Sequence, residues 1–248
     1  MSFVSLPRRS VLLGGAALAA TPAAAQTNGN AGPWAVELFT SQGCNSCPPA
    51  DANLGQLARQ PDIVALSFHV NYWDYIGWKD PFATHETTER QRAYARALRQ
   101  RYVYTPEMVV DGMAHDPGRD LAPIRRLLAE AQRKSPKRAT PELVRDGSGL
   151  GVRLAGFALD SGKADVTIAV YDRRHTTKVR SGENRGNALE NFNVVRRVEL
   201  LDQWDGSPKS WTVPDHGFGP GRGVAVLVQR PDCGPMLGCN KLDFAVSN

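Results

Sequence analysis

Hydrophobic and polar positions change period several times along this 248-residue chain. The run Trp34-Ala35-Val36-Glu37-Leu38-Phe39-Thr40 is short and almost wholly apolar, the pattern of a buried strand. Pro48 to Gln60 follows, with Leu54 and Leu57 on one side and prolines where a first helical turn tolerates them, so a helix is predicted. Asp62 to Val70 predicts a second strand, and strand, helix, strand at this spacing predicts a parallel β-α-β unit. Asn71 to Ala83 is a loop dense in aromatics: Tyr72, Trp73, Tyr75, Trp78 and Phe82. Thr84 to Arg101 reads as a long polar helix carrying Tyr94, Ala97 and Leu98. Glu107 to Val110 is a third strand, Asp111-Gly112 a hairpin turn signal, and Met113 to His115 a short return strand. Asp120 is placed to cap a last helix over Leu121 to Lys134, with Ile124, Leu127 and Leu128 inward.

The pattern changes at Ser135-Pro136-Lys137, beyond which alternation and turns replace helical spacing. Strands are predicted at Leu143 to Arg145, Gly151 to Leu154, Val166 to Tyr171, Thr177 to Arg180, Asn193 to Leu201, Ser210 to Val213 and Val224 to Gln229. This predicts an α/β domain over residues 33–136 followed by an all-β, sandwich-like domain over residues 138–248.

Residues 1–25 read as a cleaved signal peptide. Arg8-Arg9 supply the positive region, Val11 to Ala20 a short apolar stretch, and Ala23-Ala24-Ala25 a small-residue cleavage site. The stretch is too short and weak for a good membrane span, so no stable membrane insertion is expected. Arg-Arg-Ser-Val-Leu-Leu also resembles a twin-arginine export signal, and either route delivers a periplasmic or secreted bacterial protein. Loss of Arg8 and Arg9 takes the formal charge from +5 to +3. With no basic stripe carrying interleaved aromatics, that charge argues against nucleic acid as a partner.

The four cysteines group as Cys44 with Cys47 and Cys233 with Cys239, and outside the cytoplasm each close pair suits a disulfide. Cys44-Asn45-Ser46-Cys47 sits between the first strand and the first helix. Amides exposed at a helix start and the helix dipole favour a thiolate there. Cys44, at the turn, is expected to be exposed and to attack a substrate disulfide; Cys47, in the first helical turn, is expected to be covered and to resolve the mixed disulfide. Hydrogen bonds from Asn45 and Ser46 to a sulfur would stabilise the thiolate and push the pair toward oxidant behaviour. A static bridge between strand end and helix fits the same spacing, whereas half of a zinc site lacks a second ligand pair.

Tyr104-Thr105-Pro106-Glu107 precedes the third strand. The order of strand, C-x-x-C helix, strand, helix, Thr-Pro, strand, turn and helix resembles the thioredoxin fold over roughly residues 33 to 134. In that fold a cis Thr-Pro or Val-Pro step faces the dithiol and pairs with a substrate chain, which implies substrate-side roles for Thr105 and Pro106. The segments Glu37 to Asp51, Phe68 to Asp80, Tyr104-Thr105-Pro106, Gly182-Glu183-Asn184-Arg185-Gly186 and Asn193 to Arg196 resemble a secreted bacterial thioredoxin-like family of unknown function. That family implies a fold and supplies no activity. The inter-cysteine pair differs from the glycine–proline of thioredoxin itself.

His69 and Asp74 fall at or past the carboxyl end of the second strand, where ligand sites in parallel sheets gather. His69 either tunes a cysteine, joins Cys44 and Cys47 on copper, or simply hydrogen-bonds the loop. Trp73, Tyr75, Trp78 and Phe82 either line a groove for substrate peptides or pack beneath their own loop. Cys233 and Cys239 read as a structural disulfide closing a hairpin. The expected function is thiol–disulfide exchange through Cys44 and Cys47, with Pro106, Thr105, Trp73 and Trp78 on the substrate side. Its partners would be thiols or disulfides of exported proteins and a redox partner, and no organic cofactor is implied. Two alternatives use the same residues: copper binding or delivery, and a non-catalytic binding module on a thioredoxin scaffold.

Overall fold

Strand β1, Trp34–Thr40, runs between β2, Ile63–His69, and β3, Glu107–Val110, parallel to the first and antiparallel to the second. The computed structural model describes residues 32–146, 149–215 and 217–244. The expected signal peptide, residues 1–25, lies outside the described residues.

The period of two in β1 decides what each face holds. Trp34, Val36 and Leu38 pack with Leu54 and Leu57 of helix α1, Pro48–Ala58, and with Ile124 and Leu128 of helix α3, Leu121–Lys134. Ala35 and Phe39 point the other way, toward Val64, Leu66 and Phe68 of β2 and Tyr94 of helix α2, His85–Ala97. Helix α2 is polar yet firmly seated. Thr84 and Thr87 form a reciprocal cap at its start, and Arg90 pairs with the buried Glu37 of β1 at 2.5 Å. A short return strand β4, Ala114–Asp116, completes this side of the sheet.

The segments 33–136 and 138–248, expected as two domains, are joined in one sheet and share a core cluster that holds Phe39 and Phe68 with Tyr171 and Leu227. Strands β7, Ala164–Lys178, β8, Ala188–Trp204, β10, Arg222–Gln229, and β11, Met236–Asp243, extend the first sheet to eight strands in the order β11-β10-β7-β8-β2-β1-β3-β4. The junction is parallel, at Ser67 of β2 and Val194 of β8. Strand β2 is buried along its whole length, and β8 meets its outer edge at that pair and through Asn193, whose Nδ2 donates to the Ala65 carbonyl at 2.8 Å. Only β5, Glu142–Asp146, β6, Gly149–Leu154, and β9, Lys209–Pro214, form a second sheet. Leu150, Val152 and Leu154 of β6 share a core with Val166, Ile168, Val224 and Val226 of the larger one. The result is a mixed α/β architecture dominated by one large sheet.

The N-terminal elements follow the hydrophobic pattern, with β1, β3 and α3 at the expected residues. Two differences lie further on. The strand expected at Val166 to Tyr171 and the first two residues of the one expected at Thr177 to Arg180 belong to the single strand β7, whose outer half runs past the core and so carries no apolar alternation. Strand β11, which the pattern does not predict, starts within the expected Cys233–Cys239 hairpin and runs on to Asp243. Its Gly238 marks close backbone approach: a Cβ there would stand 2.1 Å from the Ala139 carbonyl oxygen. Among the described residues no helix is long and apolar enough to cross a membrane.

Candidate functional site

The chain leaves β1 through two tight turns and enters α1. The Cys44 amide donates to the Ser41 carbonyl, and the Cys47 amide to the Cys44 carbonyl. Cys47 is the N-cap of α1 and is joined to Cys44 by a disulfide, their Cα atoms 5.5 Å apart. Two expectations need correction. The helix start offers no free amides to a sulfur, because Pro48 and Pro49 occupy its first two positions and lack N–H groups. The next two amides, of Ala50 and Asp51, donate to the Cys47 carbonyl at 2.9 and 3.1 Å. Exposure is the second correction: Cys44, like Cys47, is 0% exposed. The Ser46 hydroxyl does stand 3.3 Å from Cys44 Sγ, as expected for a sulfur-stabilising group.

The turn that carries Cys44 is held from far along the chain. Asn184, at the tip of the β7–β8 hairpin, donates from Nδ2 to the carbonyls of Gln42 at 2.9 Å and Cys44 at 3.0 Å. The Glu183 carboxylate accepts from the Asn45 amide at 3.2 Å, and the Ser181 hydroxyl donates to the Gly77 carbonyl at 2.6 Å. Trp78 donates from its indole to Gln42 Oε1, and Gln42 in turn donates to Asn191 of β8.

Thr105-Pro106 is a cis step at the same end of the sheet. The antiparallel pairing of β1 with β3 ends at Phe39 and Glu107, so Pro106 lies one step beyond, beside the strand end that leads to Cys44. Trp73 bridges the two loops: its indole donates to Thr105 Oγ1 at 2.7 Å, and its Cβ is 3.2 Å from where a Cβ on Gly43 would lie. The loop aromatics therefore divide. Trp73 and Trp78 are half-buried by polar ties, Phe82 packs on the rings of His69 and His175, and Tyr75 is 82% exposed.

Beneath the loops lies a buried cluster of titratable groups. His69 Nδ1 is 2.7 Å from Asp80 Oδ2, and Asp80 also accepts from the amides of Gln42 and Phe82. Burial opposes the charged form of His69, but Asp80 and then Asp51 hold its pKa above the ordinary value. Burial likewise opposes ionised Asp80, yet His69 and the two amides keep it low. Asp51, one helical turn after Cys47 on the same face of α1, accepts from Thr40 Oγ1 at 3.3 Å. Burial pushes its carboxyl from 3.8 up to about 7, against the pull of His69. Asp51 Oδ1 and His69 Nε2 are buried without a hydrogen-bond partner among the described residues.

Sequence reasoning singled out His69 and missed Asp51, Asp80 and Asn184. Asp51 resembles any acid in a first helical turn, and Asn184 lies in a loop that reads only as a turn. Asp74 serves the loop, its carboxylate accepting from the Asp80 amide at 3.1 Å. Cys44, Cys47 and His69 do not form a metal-ligand cluster, nor does any other group of three such side chains among the described residues.

Cys233 and Cys239 are free thiols, which corrects the structural bridge expected there. Backbone bonds close that turn instead: Arg230 N donates to the Pro235 carbonyl and Gly234 N to the Arg230 carbonyl. Cys239, on β11, directs its sulfur to the Pro33 carbonyl at 3.2 Å, and burial pushes its thiol up to about 12. Cys233 lies in the turn at φ 57° with its sulfur 3.9 Å from an Arg90 nitrogen.

The solved structure of protein AGR_C_4864 from Agrobacterium tumefaciens is similar, with 34% identity and a TM-score of 0.76 over 87% of this chain and 96% of that one. HBP35 of Porphyromonas gingivalis matches at 11% identity and a TM-score of 0.62, covering 89% of this chain and 78% of that one, a likeness of fold alone. No curated protein matches the chain. Residues 35–229, which hold the disulfide, the cis step and the hairpin bonded to the Cys44 turn, match the family model described as protein of unknown function (DUF1223), and the chain belongs to that family.

Proposed function

We propose that this protein is an exported thiol–disulfide oxidoreductase whose exchanging pair is Cys44–Cys47, carried on a thioredoxin-like unit spanning residues 33–136. The observation that carries the reading is the convergence of three things at one sheet end. They are a disulfide at a helix mouth, the cis Thr105-Pro106 step tied to it by Trp73, and a buried carboxyl one turn below Cys47.

A client thiolate attacks Cys44 Sγ, the Cys44–Cys47 bond breaks, and Cys47 leaves as a thiolate. Protonated Asp51 supplies its proton, a downhill transfer from a group near 7 to a thiol of ordinary pKa about 8.5. His69, held by Asp80, stabilises the carboxylate so formed. A second client thiolate then attacks the client sulfur of the mixed disulfide and releases Cys44 as a thiolate. The client leaves oxidised and the pair reduced, and a disulfide-bearing redox partner restores it.

The competing reading is a static bridge, and full burial of both sulfurs favours it. A Cys47→Ala variant separates the two. Exchange predicts mixed disulfides at Cys44 with exported proteins, seen by non-reducing electrophoresis and mass spectrometry and lost in Cys44→Ala. If Cys44 captures no partner, and the native pair reduces only when the protein unfolds, the bridge is static.

A further inference from the structure

We infer that the tip of the β7–β8 hairpin, Ser181 to Gly186, is a latch that closes over the Cys44–Cys47 disulfide and gates its reduction. The inference deepens the exchange function and rests on it for its biological use, though not for its physical test.

Three features support it. First, the tip is a self-contained unit. Gly186 N donates to the Val179 carbonyl, Asn187 N to the Asn184 carbonyl and Arg185 N to the Gly182 carbonyl, so it can move as one body. Second, its hold on the site is a small set of polar contacts rather than an apolar seal. Asn184 donates to the Gln42 and Cys44 carbonyls, Glu183 accepts from Asn45, and Ser181 donates to Gly77. Third, the contact surface is shaped for close approach. Gly77 and Gly182 face each other at φ 98° and 73°, and a Cβ on Gly182 would stand 3.2 Å from Trp78 Cβ. The outer surface of the tip, at Glu183 and Arg185, is exposed and open to a partner.

The consequence is kinetic. Both cysteines are 0% exposed and the tip is bonded to the backbone at Gln42, Cys44 and Asn45, so under this inference a thiol reaches Cys44 when the tip lifts. Small thiols must wait for spontaneous opening, whereas a protein that engages the exposed tip can displace it. Attack on an accessible disulfide rises linearly with thiol concentration; attack behind a latch levels off at the opening rate.

The test follows reduction of the pair in the full chain by dithiothreitol, with acid quenching, alkylation and mass spectrometry. The parent rate is expected to saturate. Asn184→Ala removes two hydrogen bonds to the site and should raise the plateau about tenfold or more. Glu183→Ala, at an exposed position safe for folding, should raise it about threefold. Arg185→Ala, at an exposed position on the tip, should leave it unaltered. The latch is overturned if the parent rate stays linear in dithiothreitol and neither variant changes it. It is equally overturned if every reduction rate equals the unfolding rate read from tryptophan fluorescence. A latch that opens as expected, in a protein whose Cys47→Ala variant captures no partner, would retain the gate and reject the exchange function.

Discussion

The two cysteine pairs of this chain have opposite fates, and the contrast separates spacing from geometry. Cys44 and Cys47 lie three apart across a turn that enters a helix, and they are bonded. Cys233 and Cys239 lie six apart across a hairpin turn, and they are not. The first pair needs the turn, because successive backbone bonds fold Cys44 back onto the helix cap. The second turn is already closed by backbone bonds. The β11 pairing then directs Cys239 toward Pro33, while Cys233 faces Arg90. The surroundings differ as well. The bonded pair sits among groups able to move a proton, Asp51, His69 and Asp80, under a polar cover. Cys239 sits in a packed core and Cys233 at its margin, both braced by buried ion pairs, Glu37 with Arg90 and Asp111 with Arg138. One region gathers titratable groups around a disulfide, and the other braces free thiols with ion pairs.

The sharpest attempt to break that division is made in the thiol region. Arg138 is almost wholly buried against Asp111, with bonds of 2.7 and 2.8 Å, and stacks over Trp34. Arg138→Met leaves Asp111 uncompensated and should cost about 3–5 kcal/mol in urea unfolding. The reduction rate of Cys44–Cys47 under native conditions should stay unchanged. A parallel rise in that rate would mean the two regions are one cooperative unit.

An effect of similar size, but spread over pH, is expected at the disulfide end. Asp51 in the folded protein keeps its proton to about pH 7, whereas the unfolded chain releases it near 3.8. Its contribution to stability is therefore full below pH 3.8 and is lost as pH rises through 7. Asp51→Asn removes the titration. Between pH 4 and 7 the variant should gain on the parent by up to about 1.4 kcal/mol per pH unit, read from paired denaturation curves. A difference that does not vary with pH would place Asp51 outside the titrating cluster and remove it as the proton donor to Cys47.

The smallest effects discriminate between the two thiols. Cys239→Ala opens a small void in a closed core and should cost about 1 kcal/mol, whereas half-buried Cys233→Ala should cost less than about 0.5 kcal/mol. Equal and large losses, with the parent two hydrogens lighter than the mass calculated for free Cys233 and Cys239, would mean that the pair bridges in solution after all.

Much of the first half of the molecule is legible from residues alone. The strands Trp34–Thr40 and Glu107–Val110, the capped helix Leu121–Lys134, and the placing of Cys44 and Cys47 at a strand–helix junction all rest on local period and turn chemistry. These depend on neighbours within a few positions, and a chain displays them directly. The sharing of one sheet by both halves is different in kind. It hangs on Val194 pairing with Ser67, across more than a hundred residues, and nothing near either position announces it.

The same holds for the chemistry. Sulfur spacing, the Thr105-Pro106 step and the prolines after Cys47 stand written in order along the chain. The burial of the sulfurs, the elevated carboxyl of Asp51 and the grip of Asn184 do not, because each arises when side chains from distant segments exclude water from a common volume. Local covalent order carries the first kind of information. The dielectric environment and accessibility of a group are properties of everything packed around it, and come into being only when the chain folds.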